Sequence, residues 1–392
     1  MNIHCQIVRP IRPQILPFLI LVFLFGGRAF SQATLDPESL LNWKLPTGGP
    51  VYASPVQSEG TLYIGSTDST FYAIDAENGK EKWQYPSGNT IQSSAALYHN
   101  LVFFESGNHL FALTTRGKLV WKNQLCDGEV HNQMDPWDFH HSSPYIHQGV
   151  VYVGTEHGIL WGFDAETGNQ VLRCQTLSEQ VIRTTPVVAG SLVIYGDWEG
   201  VLYANDISTG ALAWKYDTRQ EGTYPWPNSI LTNLVVGGES VYFAGKSNRL
   251  YSLDARTGRK NWHYSSPTDQ WLIGGPVLYE GVIYLGSSDQ HLLHAIDASS
   301  GALIWTVGLD GRIWGQAAMT EGRLYVGSNS MFVVDISSGD ILTQYEFERV
   351  HEDKQYGDYT DRSANFHSSP LLYENTIILG SDDGYIYALK SL

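Results

Sequence analysis

Cysteine is almost absent from this chain: there are three in 392 residues. Cys5 lies in the N-terminal segment, which leaves Cys126 and Cys174. No Cys-x-x-Cys-His haem motif and no Cys/His set with zinc-finger spacing can be built from them. In an oxidising compartment the two could pair, and two separate thiols fit the sequence equally well. Basic residues are scarce, 24 Lys and Arg against 40 Asp and Glu. That balance excludes the basic patches which nucleic acid and anionic lipid demand. Long apolar runs are missing after the N-terminus, so no spanning helix is expected. Helical periodicity is missing too; we find no amphipathic helix beyond residue 40.

The N-terminus reads as an export signal. Arg9 and Arg12 precede the apolar stretch Ile15–Phe25, and Ala29-Phe30-Ser31 supplies small residues for cleavage. Residues 1–31 are therefore expected to be a secretory signal peptide, and the rest an exported protein, periplasmic or extracellular. Their removal takes three arginines and no acid, so the remainder is more acidic still.

What the chain does have is turn and sheet chemistry, with 39 Gly, 12 Trp and 23 Tyr. A stem Ala-x-Asp-Ala-x-x-Gly-x-x-x-Trp stands at Ala73–Trp83 and returns in full or worn form. Its Gly and Trp recur as Gly79/Trp83, Gly117/Trp121, Gly210/Trp214, Gly258/Trp262 and Gly301/Trp305. Two copies lose the Trp, at Gly168/Leu172 and Gly339/Thr343. Successive stems lie 38 to 51 residues apart, a period that marks an array of supersecondary units. Each unit reads as four short strands with period-two patterning between Gly/Asp/Asn/Ser turns. In the first, these are Val51–Gln57, Thr61–Ser66, Thr70–Asp75 and Lys80–Tyr85.

Eight second strands can be counted, from Leu62–Ser66 to Ile377–Ser381. The eighth unit lacks its Gly-x-x-x-Trp strand, whereas an unattached strand with that Trp, Leu41–Leu45, stands at the other end. The expected fold is all-β: an eight-bladed β-propeller of four-stranded antiparallel blades, closed by the N-terminal strand completing the last blade. It should occupy residues 32–392 as a single domain.

The stem Tyr63-x-Gly65-Ser66-x-Asp68-x-x-x-Tyr72-Ala73-x-Asp75-Ala76-x-x-Gly79-x-x-x-Trp83 resembles the PQQ-type β-propeller repeat. That repeat occurs in quinoprotein dehydrogenases and in the propeller lipoprotein of the outer-membrane β-barrel assembly machine. The resemblance runs from about residue 40 to the end, and blade number and size match the assembly propeller. The lipid-modified Cys of that protein has no counterpart after the apolar stretch. For the dehydrogenases the resemblance implies PQQ with calcium, for which Arg183, Asn228 and Asp138 are the available contacts. The adjacent cysteines of the large alcohol-oxidising members are absent.

Function in a repeat protein shows where the copies differ. Three blade-to-blade linkers are long, Cys126–His141, Asp217–Ile230 and Tyr345–His367, and share one topological position, hence one face. The residues beginning the innermost strands are Tyr52, Gln92, His141, Arg183, Leu231, Ile273, Trp314 and His367. His141-Ser142-Ser143-Pro144 and His367-Ser368-Ser369-Pro370 repeat one local setting. The linkers add Trp137, Asp138, His140, Trp226, Asn228 and Arg362, and a turn adds Trp198. This set suits a polar small molecule, a glycan or an exported protein.

Three functions are compatible with that mouth. The first is an exported, monomeric ligand-binding or protein-assembly module. The second is a polysaccharide lyase or hydrolase, with His141 or His367 and Tyr52 moving protons and Arg183 and Gln92 holding a carboxylate. In that reading His141, His367 and Gln92 are also candidate ligands for a divalent metal. The third is a PQQ-dependent dehydrogenase.

Overall fold

Five innermost strands begin just after a proline, Pro55, Pro144, Pro186, Pro276 and Pro370, and hydroxyls tie down the inner edge of several blades. The computed structural model describes residues 33–128, 134–136, 138–222, 228–268, 270–349 and 363–391. In it the innermost strands are only three residues long, such as Val56–Ser58, Tyr145–His147 and Leu371–Tyr373. The expected first strand Val51–Gln57 is thus shorter than its sequence pattern. Pro55 and its equivalents have no N–H to give to the ladder. In the eighth blade, two residues before Pro370, a hydroxyl takes over: Ser368 Oγ donates to Gly380 O at 2.8 Å and accepts from Gly380 N at 2.9 Å. Thr184 does the same with Gly196. The next hydroxyl links blades, as Ser54 N donates to Ser94 Oγ and Ser94 N to Ser143 Oγ, both at 2.9 Å.

Eight sheets result. The first blade is Val56–Ser58, Thr61–Gly65, Thr70–Asp75 and Glu81–Pro86, and six more follow it in chain order. The eighth combines Leu371–Tyr373, Thr376–Gly380 and Tyr385–Lys390 with the N-terminal strand Leu41–Pro46, which pairs antiparallel with Trp43 opposite Ala388. The expected closure is therefore present. One addition was not foreseen: Ala33–Leu35 pairs in parallel with Ile341–Tyr345 as a fifth strand of the seventh blade. Two single-turn 3-10 segments, Pro37–Leu40 and Thr218–Glu221, are the helical elements among the described residues.

The core lies between blades. One buried apolar cluster joins each neighbouring pair, and the pair formed by the eighth and first blades, with Trp43, Ile386, Leu62 and Ile74, is no exception. The repeated Gly and Trp are the outer clamp of this packing. Each Trp lies on the turn glycine of the following blade, where a Cβ at Gly79 would meet the Trp43 ring at 2.6 Å and one at Gly258 the Trp214 ring at 2.6 Å. The indole N–H then donates to a carbonyl of that same turn, Trp43 Nε1 to Ala76 O at 3.1 Å and Trp121 Nε1 to Ala165 O at 3.0 Å. This explains why Thr343 replaces Trp in the seventh blade. The eighth blade takes its fourth strand from Leu41–Pro46 and so has no glycine turn after Tyr385–Lys390 to receive an indole. Instead, Tyr345 donates its hydroxyl to Lys390 O at 2.9 Å.

One of the titratable groups in the core is a histidine. His294 is fully buried in the sixth blade, 3.2 Å from the Tyr264 hydroxyl, and its Nε2 has no partner. Burial pulls its pKa down to about 4, against about 6.5 in an unfolded chain. Between those values the unfolded chain binds the extra proton, so acidification removes stability by about 1.4 kcal/mol per pH unit. His294→Phe should flatten the fall of stability from about pH 6.5 to about pH 4 by that slope. Denaturant midpoints at several pH values would check it, and parallel profiles would refute it.

Both cysteines are free thiols: Cys174 is buried, and burial pushes the Cys126 thiol up to about 12. The signal-like segment 1–31 lies outside the described residues. Among those residues no helix is long and apolar enough to cross a membrane.

Candidate functional site

The described end of the linker between the second and third blades, 138–141, lies over the channel. Phe139, which has no counterpart in the repeat, is 3% exposed at its centre. Its ring stands 5.2 Å from Tyr52, 5.1 Å from Trp314 and 4.3 Å from His367. Gln92 Nε2 donates to Phe139 O at 3.2 Å. The first, second, seventh and eighth blades thus grip one linker residue.

Charge holds the rest of the linker. Arg183 donates through Nε to Asp138 Oδ2 at 3.0 Å and also pairs with Glu156, and all three side chains are buried. Desolvation alone would weaken the guanidinium's hold on its proton; Asp138 and Glu156 outweigh it and raise the pKa. Lys246 of the fifth blade pairs with Asp135. Its ammonium lies 4.5 Å over the Trp198 ring and 5.3 Å over Trp271, a geometry favourable to a cation. Burial lowers its pKa, with Asp135 opposing.

The two histidines of the repeated His-Ser-Ser-Pro setting are each fixed by a buried carboxylate. His141 Nδ1 lies 2.9 Å from Glu105 Oε2, and His367 Nδ1 lies 2.6 Å from Asp382 Oδ1. His140 turns the other way, toward the backbone of His367 and Tyr52; burial and the His367 ring beside it hold its pKa down to about 4. Burial pushes the Tyr52 phenol well up, so it keeps its proton at neutral pH.

Of the expected residues, the structure brings together Tyr52, Gln92, Asp138, His140, His141, Arg183, Trp314 and His367. Trp198 joins them through Lys246. Asn228 sits instead under the Gly200 turn of the fourth blade. Trp137, Trp226 and Arg362 lie outside the described residues. Among those described, no group of three His, Cys, Asp or Glu could hold a metal ion. Sequence reasoning missed Phe139, Glu105, Glu156, Lys246 and Asp382. Glu105 was detectable: six other blades have Gly there, and at Gly65 a Cβ would meet Ile91 at 2.1 Å. In the second blade the residue that would occupy that seat is His140, whose side chain is drawn across the channel.

Behind Phe139 the channel keeps a cavity of about 60 Å³, bounded by Ser54, Ser94, Ser143, Asn233, Gln316 and Ser369. That is room for about four waters. A tricyclic quinone does not fit it, and Arg183 and Asp138 are already engaged with each other, so the residues present do not suit PQQ.

Such a ring of four-stranded blades, six of them clamped to the next by an indole on a glycine turn, defines a PQQ-type eight-bladed propeller. Within that class the profile of the family described as "Outer membrane protein assembly factor BamB" matches residues 40–136, 115–272 and 268–392. The chain belongs to that family. It is 24% identical over 376 residues to the outer membrane protein assembly factor BamB of Burkholderia pseudomallei, covering 91% of this chain and 88% of that one. It is 27% identical over 258 residues to the quinoprotein alcohol dehydrogenase PedH of Pseudomonas putida, covering 57% of this chain and 40% of that one. Among solved structures, BamB from Moraxella catarrhalis superposes with a TM-score of 0.67 at 17% identity, over 89% of this chain and 98% of that one. Quinohemoprotein alcohol dehydrogenase from Comamonas testosteroni gives 0.71 at 14% identity, over 92% and 78%.

Proposed function

We propose that this chain is an exported protein-assembly module that works on outer membrane proteins and binds a protein partner at the channel mouth. The observation that carries this is the small space that Phe139 leaves in the channel. Small-molecule sites occupy about 300–1,000 Å³, whereas the cavity behind Phe139 measures about 60 Å³. What remains accessible is the surface around the mouth, where Trp198 and Trp271 are half-buried. Tryptophan is among the side chains that carry most of the binding energy at protein interfaces. The family description and the export-like segment 1–31 support the compartment.

The test places a photo-crosslinking amino acid at Trp198 or Trp271 in cells of the source organism. A discrete crosslink to one protein of the outer-membrane assembly apparatus is the expected result. Its absence at both positions, with outer membrane protein levels unchanged when the gene is deleted, overturns the reading.

A further inference from the structure

The described linker residues contact the ring as a bound peptide contacts a receptor. Asp135 and Asp138 are three apart and reach cations on two different blades, Lys246 and Arg183. Phe139 follows directly and enters a pocket walled by Tyr52, Trp314 and His367. Neither cation is a casual choice in a chain with 24 basic and 40 acidic residues. Both are buried to within a few per cent, Lys246 at 3% and Arg183 at 3% exposed. A buried cation requires a carboxylate opposite it. The mouth is therefore built to receive carboxylates, whatever chain supplies them.

Some of the receptor's own contacts do not depend on the linker. Arg183 retains Glu156 from the third blade. Lys246 retains the faces of Trp198 and Trp271. Residues 134–136 and 138–141 belong to no strand, so their departure breaks no sheet. Only the tether to Leu125 and Ser142 favours the internal segment over an external one, through its effective concentration.

We propose that the channel mouth is a docking site for an acidic–aromatic turn of a partner protein, Asp-x-x-Asp-Phe in pattern, and that Asp135, Asp138 and Phe139, held in a turn by Asp138 N donating to Asp135 O at 3.1 Å, occupy it in cis. This names the partner chemistry of the site proposed above and rests on that reading. A partner segment displaces the linker by presenting the same two carboxylates and aromatic ring. Acidic segments without the aromatic, or aromatic ones without the carboxylates, bind poorly.

The experiment uses the intact chain in which Asp135→Asn and Asp138→Asn together loosen the linker. The probe is a fluorescent peptide of residues 134–140, Met-Asp-Pro-Trp-Asp-Phe-His. The expected result is saturable binding to this variant, roughly tenfold or more tighter than to the unaltered chain, where the tethered copy competes. Changing both Asp of the peptide to Asn, or adding Lys246→Gln to the protein, should weaken binding roughly tenfold. Phe139→Leu, which keeps an apolar group in the pocket, is a second loosened form. Equal binding of the Asn peptide, or no saturable binding to either form, overturns the proposal. So does failure of both forms to fold, because the linker is then a structural element that no partner could exchange. If crosslinking from Trp198 persists while the peptide fails to bind, only this inference falls. Absence of the crosslink at both Trp198 and Trp271 in the unaltered chain, with outer membrane protein levels unchanged on deletion of the gene, removes the assembly reading itself.

Discussion

Arg183→Met should destabilise the folded chain by about 3–5 kcal/mol. The side chain is 3% exposed, and its two partners, Asp138 at 2% and Glu156 at 7%, are buried too. Removing the guanidinium leaves two carboxylates facing each other in a site with little water, and one oxygen of Glu156 already lacks a hydrogen-bond partner. Met restores most of the volume, so lost packing contributes little and charge carries the loss. The triple change Arg183→Met, Asp138→Asn, Glu156→Gln removes both stranded charges and should recover most of the stability. Urea unfolding at neutral pH measures both. A loss under about 1 kcal/mol for the single change would mean that solvent reaches the triad. Because the same triad anchors the linker, the single variant should also expose Phe139, visible as faster hydrogen exchange in residues 138–141.

The blades were legible because the Gly and the Trp each answer to one local requirement repeated around the ring. Closure was legible for the same reason: Trp43 is the only copy standing without a preceding turn. What sequence did not display is who contacts whom. Gly79 and Trp83 look like a pair four residues apart, yet Gly79 carries Trp43 and Trp83 lies on Gly117. The inner strands looked seven residues long because alternation continues through Pro55, where the ladder cannot. At the site, aligning the copies found Tyr52, His141, Arg183 and His367, since each departs from a repeated position. It could not find Phe139, which lies in a linker with no counterpart to align, nor foresee that the linker would cross the channel. The carboxylates were missed for another reason. Glu156 and Asp382 follow second strands where turns are acidic in ordinary copies too, as at Asp68 and Asp289, and only three dimensions separate a turn carboxylate from one aimed at His367 or Arg183.

Kinship to both assembly factors and quinoproteins becomes intelligible on this footing. The inter-blade clamp and the hydroxyl edge of this chain specify a propeller and leave the channel free to vary. In this chain the channel is spent on holding its own linker, and the carboxylate-fixed imidazoles of His141 and His367 serve that end. His367 lies under Phe139 at 4.3 Å, and its carboxylate partner Asp382 orients it for packing against the aromatic cluster.

Trp43→Ala should cost about 3–5 kcal/mol and act first on the eighth blade. The ring is 8% exposed, rests on Gly79 of the first blade and donates to Ala76 O. Trp83 makes the equivalent contacts with Gly117 and Thr115, so the two truncations remove similar surface. They differ in connectivity. Trp83 lies on a strand joined to its neighbour by a short turn, whereas Leu41–Pro46 reaches Tyr385–Lys390 across almost the whole chain. Loop-closure entropy over that separation must be repaid by the contacts of one strand, of which the indole is the largest. Opening at this seam also frees two blade edges at once. Trp43→Ala should therefore speed amide exchange in Leu41–Pro46 and Tyr385–Lys390 while the fourth and fifth blades keep their protection. Trp83→Ala should lower global stability without that localised opening. If exchange in the two seam strands stays level with the fifth blade in Trp43→Ala, closure is held by the hydrogen-bond ladder and not by the indole.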